Sequence, residues 1–512
     1  MTKPLVRMTN RLYVPEQLVT LAHKKAYTYW FGQSEYSEDP DDFEVVQTFR
    51  QYSNGLVGFP RGNLEKLFDT FSDFEIEDER SLVPHGFDLE FLGELRDEQK
   101  LVWRKWLAKQ YGMMQLPPRG GKTALMVYAV CKLKQRSLVL AQEWSLLEQW
   151  EEEFRKFTNI NELERQWAAQ HGKAAKLIGS VKNPETDVYP LVTLASWQLY
   201  QANMPALLKN RDQWGAVFVD EAHSAASPCF SKVVGSINSY YRIPVTATPE
   251  RKDGHEVVVF DIAGPVTAVG TSEQLPVHVK VVHTGIEVPN IFGQMGRKAW
   301  ASLRRRLAHN EDRNELIINR VLADYRAGHK ILVCSDLIGH LKQLQGMLIE
   351  ASDKFPAIYG DLKVSLLIGA VKGKERKALR MDAKAGDVDV VLAYSKIVQL
   401  GWNVSPWSSL HNVLPMANEP NWYQRISRIR TPCDGCPGVG EKGCGGPACS
   451  KEAPVATIYV DANRVLEGCF KTQQRVHQRL GFVEQHEYLD AAPKVKRDPE
   501  RKGRGLKWTE IL

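Results

Sequence analysis

The chain has 512 residues, of which 25% are charged and 43% hydrophobic, with a formal net charge of +6. That length exceeds one ordinary core and predicts two to four globular domains, and the mild basic excess excludes a uniformly basic nucleic-acid coat while permitting a basic groove. The opening "MTKPLVRMTNRLYVPEQ" lacks an apolar h-region and no apolar run approaches membrane-spanning length, which predicts a cytoplasmic protein without a membrane partner.

Residues 1–92 carry no phosphate-binding or paired-acid motif and read as a small α+β accessory domain. Tyr27, Tyr29, Trp30 and Phe31 have the chemistry to stack on bases, although four neighbouring aromatics more often form core. Next comes "MMQLPPRGGKTALMVYAVCKL", in which Gly120, Gly121, Lys122 and Thr123 precede an apolar helix. Glycines let backbone N–H groups turn inward around phosphates, and the helix N-terminus adds a favourable dipole. Lys122 then neutralises the β/γ-phosphates and Thr123 ligates Mg²⁺. Alone, Gly-Lys-Thr is also an ordinary strand-to-helix turn. Leu146, Trp150, Phe154 and Phe157 recur at helical spacing and read as core. The strand "AVFV" then runs into Asp220, Glu221, Ala222 and His223. Acids at the carboxyl end of a parallel strand sit where open α/β sheets bind ligands. Asp220 is the Mg²⁺ ligand and Glu221 the residue that polarises the attacking water; the pair and the loop together predict an NTP hydrolase.

With those motifs in order, residues 95–460 resemble the superfamily 2 helicases of the DEAH/DExH kind. The resemblance implies two tandem RecA-like parallel-sheet lobes with ATP bound between them. In "LRDEQ" it implies that Arg96 and Gln99 read the adenine. "LVTLASWQ" is similar to a nucleic-acid-contacting motif with Ser196 and Trp197 at its tip. "VTATPERKDG" is similar to the coupling motif, where Thr246 and Thr248 link nucleotide state to the bound strand, and its continuation is typical of XPB-like, RecG-like and UvsW-like DNA helicases. The N-terminal stretches "NRLYVPEQLVTLAHKK" and "FEIEDERS" resemble the small module that precedes LRxxQ in UvsW-like helicases, a DNA-binding module or a structural cap. Arg119 and Pro118 depart from the family loop, which leaves nucleotide selectivity open. The UvsW-like resemblance also suggests phage origin, hence a host cytoplasm.

Strand–helix alternation resumes after 311, with "ILVCS", "VSLLIGA" and "VDVVLAY" as doubly buried strands. Ser335 and Ser395, at the ends of two of them, are further nucleic-acid candidates by the resemblance. "AYSKIVQLGWNV" resembles the fifth motif, keeping Gly401 for the nucleotide side but carrying Tyr394, Leu400 and Asn403 at drifted positions. "QRISRIR" resembles the sixth, with Gln424 and Arg428 matching, Ser427 for glycine and Arg430 one place early. An arginine here stabilises charge on the γ-phosphate in the transition state, and either Arg428 or Arg430 fits. The stretch 266–310 reads as an interlobe linker containing a basic helix.

Of eight cysteines, Cys131, Cys229, Cys334 and Cys469 are scattered and read as buried thiols. Cys433-x2-Cys436-x7-Cys444-x4-Cys449 is a cluster in a Gly/Pro-rich segment, 431–452, that suits tetrahedral Zn²⁺; four cysteines also suit an iron–sulfur cluster, but the compact spacing favours zinc. The predicted domains are 1–92, a first lobe 93–265, the linker 266–310, a second lobe 311–475 and a basic tail 476–512. The predicted activity is an ATP-dependent helicase or translocase on single-stranded, forked or branched DNA, working with replication or recombination proteins. The alternatives are an RNA helicase on the same fold and an ATP-binding clamp or recruitment subunit without turnover.

Overall fold

The structure is a computed structural model that describes residues 3–32, 43–118, 120–172, 175–222, 228–249, 254–271, 274–288, 297–369, 371, 373–399, 404–433 and 451–489. The chain divides into two compact units, Met1–Ser272 and Glu273–Leu512.

Among its described residues the first unit holds two larger sheets of different kinds and a two-stranded antiparallel pair, Thr28–Gly32 with Phe43–Gln47. Near the N-terminus, five strands lie in the order Arg50–Gln51, Leu56–Phe59, Leu12–Pro15, Leu5–Met8 and Glu75–Asp78. Alternation drives this sheet: Leu12 and Val14 point into a core with Val57, Phe59, Leu67 and Phe71, while Tyr13 points away. The module is bound to the rest of its unit by buried polar contacts. Asn10 donates to the Gly235 carbonyl at 2.8 Å, and Asp261 accepts from Tyr29 (2.7 Å), Thr48 (2.8 Å) and Lys66 (2.9 Å). The four aromatics separate: Tyr27 is buried, Tyr29 and Phe31 are half-buried, and Trp30 is 67% exposed.

The larger sheet of this unit is all parallel, in the order Ile178–Ser180, Val192–Ser196, Ser137–Ala141, Ala216–Asp220, Tyr241–Thr246, Met113–Gln115, Val266–Val269. Its inner strands are apolar on both faces, as "SLVLA" and "AVFV" require when helices cover both sides. Helix Lys122–Leu133 follows strand Met113–Gln115 across a short loop, and helix Trp144–Phe157 buries Leu146, Trp150 and Phe154.

The second unit repeats the plan: seven parallel strands in the order Val364–Leu367, Val390–Tyr394, Lys330–Ser335, Trp407–Asn412, Val455–Ala462, His278–Glu287, Val483–Tyr488. Two expected boundaries change here. The stretch 266–310 is not a linker: Val266–Val269 edges the first sheet, His278–Glu287 lies inside the second between two neighbours, and Arg297–Ala308 is a helix with Leu303 and Leu307 buried. The reason is the apolar run of "HVKVV", which buries Val279, Val281 and Val282. The basic tail does not begin at 476 either. Helix Arg464–Leu480 passes through that point and Val483–Tyr488 adds an edge strand, while 490–512 lie outside the described residues. Cys131, Cys334 and Cys469 are buried thiols; the side chain of Cys229 is not among those described. No helix among the described residues is long and apolar enough to cross a membrane.

Candidate functional site

Parallel strands bring all their carboxyl ends to one edge, and in the first unit that edge gathers the motif residues. In register, Ser196 pairs with Ala141, Asp220 with Val245, and Thr246 with Gln115. The chain leaves Gln115 through Leu116, whose N–H donates to the Thr246 carbonyl at 3.1 Å, and enters the phosphate loop. Gly121 closes that loop at φ +72° and begins the helix whose first residues are Lys122 and half-buried Thr123. A Cβ on Gly121 would stand 2.2 Å from the Gln99 Nε2, so glycine is required by conformation and by space. Gln99 is buried and donates from Nε2 to the Gly120 (3.3 Å) and Gly121 (3.0 Å) carbonyls, while its Oε1 accepts from the Arg96 N–H at 2.8 Å. Arg96 itself is exposed.

Across the edge, Lys122 Nζ lies 3.9 Å from Glu221 Oε1, both largely shielded from solvent. Glu221 adopts φ +50°, a left-handed conformation rare outside glycine, which turns the chain sharply at the strand end. The Asp220 carboxylate is held at both oxygens: Oδ1 accepts the Glu221 N–H at 2.9 Å and Oδ2 accepts the Trp150 indole N–H at 3.0 Å. Burial and then the neighbouring Glu221 push the Asp220 carboxyl above the usual range, opposed by Trp150 and Lys122. Carboxylates and a threonine hydroxyl at one sheet edge are the oxygen donors that Mg²⁺ prefers, and a divalent cation would relieve their mutual repulsion. His223 and Arg119 lie outside the described residues.

The nucleic-acid candidates are mostly beneath the surface. Thr246 and Thr248 are buried, with the Thr248 N–H donating to Thr246 Oγ1 at 3.2 Å, a turn that sits against the phosphate loop. Ser196 is buried and bonds Gln198 at 2.5 Å; Trp197 is half-buried with its ring edge-on to Phe230 at 5.4 Å.

In the second unit, Ser335 and Ser395 are likewise buried at strand ends. Over them lies a cavity of about 540 Å³, lined among others by Trp300, Arg304, Asp336, Tyr394, Lys396 and Arg425. It spans the carboxyl ends of three adjacent strands, where the connections leave in opposite directions, the crevice in which parallel sheets take ligands. Asp336 pairs with Arg304 and, at 3.5 Å, with Arg425, which also bonds Asn412. The basic helix Arg297–Ala308 thus turns Arg304 onto Asp336 of its own unit. Sequence reading passed over Trp300, Asp336 and Arg425; the aromatic and basic spacing of "WASLRRR" was the available signal.

Helix Glu419–Ile426 carries half-buried Gln424 and leads to buried Arg428 and Arg430. The two arginines differ. Arg430 donates from Nε to the Leu275 carbonyl at 2.9 Å and lies 4.8 Å over the Phe482 ring, both in its own unit, and burial lowers its pKa to about 10. Gly401, Leu400, Asn403, Cys436, Cys444 and Cys449 fall outside the described residues, and Cys433 is half-buried at their border. Among the described residues no group of three His, Cys, Asp or Glu is placed to hold a metal ion.

Comparison with known proteins agrees with this geometry. Residues 92–251 match the family described as "Type III restriction enzyme, res subunit". The curated relatives that the chain resembles are helicases. The chain is 29% identical over 178 residues to the DNA 3'-5' helicase XPB of Mycobacterium tuberculosis, covering 34% of this chain and 30% of that one. It is 24% identical over 365 residues to the "Probable helicase D10" of Escherichia phage T5, covering 71% and 73%. A solved fragment of an HsdR subunit of a type I restriction enzyme from Vibrio vulnificus superposes with a TM-score of 0.51 at 13% identity, covering 88% and 76%, and shares the fold. The chain spans less than two thirds of the length of several curated relatives, 62% of one and 30% of another.

Proposed function

We propose that the protein is an ATP-dependent DNA helicase or translocase. The observation that carries this reading is the single sheet edge where the phosphate loop, Asp220–Glu221 and the Thr246–Thr248 turn meet, with Lys122 3.9 Å from Glu221. Lys122 neutralises the terminal phosphates, and the loop N–H groups hold them in place. Thr123 and Asp220 hold Mg²⁺, which supplies charge neutralisation on the phosphate oxygens. Glu221 orients the attacking water and accepts its proton. Arg428 or Arg430 is the proposed transition-state cation. The Thr246 carbonyl's bond to Leu116 gives the coupling turn a direct handle on the loop.

Trp300, Lys396 and Tyr394 are proposed to take the nucleic-acid strand in the second-unit cavity, the ring stacking and the ammonium meeting phosphate. The N-terminal module fits a cap better than a DNA grip: residues 1–92 contain nine Lys/Arg against sixteen Asp/Glu. Cys433, Cys436, Cys444 and Cys449 are proposed to bind structural Zn²⁺. Lys451 supports a self-contained knuckle, because its Nζ donates to the Thr431 (2.6 Å) and Ser405 (2.7 Å) carbonyls and so ties both ends of the segment to the second unit.

The test is an ATPase panel with Mg²⁺ over single-stranded, forked and branched DNA and RNA. DNA should stimulate turnover, Lys122→Ala and Glu221→Gln should each cut it by about 100-fold or more, and Lys122→Ala without effect would sink the reading. Stimulation by RNA alone would move the assignment to an RNA helicase, and ATP binding without turnover to a clamp. Metal analysis finding neither zinc nor iron would remove the knuckle.

A further inference from the structure

We infer that Trp150 is a positioning residue that orients the Asp220 carboxylate and thereby sets the Mg²⁺ requirement of ATP hydrolysis; this rests on the ATPase reading above. Helical spacing makes Trp150 a core residue, and it is 2% exposed, with its ring 6.2 Å from Phe218 and 6.3 Å from Phe154. Packing fills the apolar body of an indole but not its N–H, which needs a partner when buried. Here the N–H reaches the carboxyl edge of the sheet and donates to Asp220 Oδ2 at 3.0 Å.

An aspartate carboxylate rotates in a broad, two-fold torsional well, so a single hydrogen bond leaves its plane loosely defined. Asp220 has two, one on each oxygen: the Glu221 N–H at 2.9 Å on Oδ1 and the indole on Oδ2. The first comes from the adjacent residue and travels with it. The second comes from a different element, helix Trp144–Phe157, whose ring is locked against Phe218 on the same strand as Asp220. The carboxylate is therefore referenced to the core and not only to its own turn. Groups that hold a metal's ligand from behind commonly contribute 10- to 100-fold to metal affinity.

Trp150→Phe keeps an aromatic ring in the core and removes the donor together with part of the indole's volume, which costs stability as well. In DNA-stimulated ATPase assays on the full chain, it should raise the half-saturating Mg²⁺ concentration about tenfold. At saturating Mg²⁺ its kcat and its KM for ATP should stay within about threefold of wild type, the split that distinguishes orientation from a damaged fold. Phe154→Leu perturbs the same core without touching Asp220 and should lower the melting temperature while leaving the Mg²⁺ curve in place. Where Trp150→Phe does not fold, Trp150→Met, a flexible apolar filler, carries the same expectation. A wild-type Mg²⁺ curve in the Trp150 variant, or an equal shift in Phe154→Leu, overturns this inference alone. A wild-type protein that hydrolyses no ATP with Mg²⁺ overturns both it and the function proposed above.

Discussion

Gly121→Ala tests how the phosphate loop is held. Two effects add. At φ +72° an alanine costs about 1 kcal/mol relative to glycine. Its Cβ would also stand 2.2 Å from Gln99 Nε2, and Gln99 cannot swing aside freely because it is buried and makes three hydrogen bonds, at 2.8, 3.0 and 3.3 Å. Losing one to three of these, at about 1 kcal/mol each, brings the local cost to about 2–4 kcal/mol. Hydrogen exchange of the first turn of helix Lys122–Leu133 reads that cost directly, because the Leu125 N–H is bonded to the Gly121 carbonyl at 3.0 Å. Exchange there should accelerate by about 30- to 900-fold, at 1.4 kcal/mol per tenfold. In a Gln99→Ala background the clash is gone, and Gly121→Ala should then cost only the backbone effect, about five- to tenfold. An unchanged penalty in that background would refute the steric argument and leave backbone strain alone as the cause.

Arg313→Met should destabilise the second unit by about 3–5 kcal/mol, because it strands the buried Asp461 carboxylate that Arg313 Nε holds at 3.0 Å; a lowered unfolding midpoint in denaturant checks this. Burial, then Arg313, holds His340 at a pKa of about 3, so the folded state resists a proton that the unfolded chain accepts near pH 6.5. The His340 contribution to stability is thus constant above pH 6.5 and falls by about 1.4 kcal/mol per pH unit below it, down to about pH 3; His340→Asn should make the slope of stability measured from pH 7 to 5 shallower by about that amount. Replacing the transition-state arginine, Arg428 or Arg430, by alanine should abolish DNA-stimulated ATPase, and Arg430→Ala should also lower the melting temperature because it loses the bond to the Leu275 carbonyl; turnover surviving both substitutions would remove both from the site.

Much of the site was legible because its residues are close in sequence. Gly120 to Thr123 lie within one turn, and Asp220 with Glu221 at one strand end, so spacing alone places them. What escaped depends on partners far along the chain. Trp150 reads as core from its periodicity, and nothing in a period tells that its N–H meets a carboxylate 70 residues away. Nor does motif spacing tell that Arg430 donates from Nε to the carbonyl of Leu275, 155 residues earlier. The strand His278–Glu287 was mistaken for linker because both its neighbours, Val455–Ala462 and Val483–Tyr488, come from the other end of the unit.

The sequence by itself determined the fold class and placed the candidate phosphate loop and paired acids at strand ends, since apolar runs and turn residues act locally. The tertiary structure decided what each of those side chains touches: Lys122 faces Glu221, Asp220 accepts from Trp150, Thr246 and Ser335 are each buried in their own unit, and Arg430 bonds Leu275. The physical reason is that hydrogen-bond satisfaction and close packing are settled between distant segments, so a side chain's role follows from what its neighbours leave for it to do.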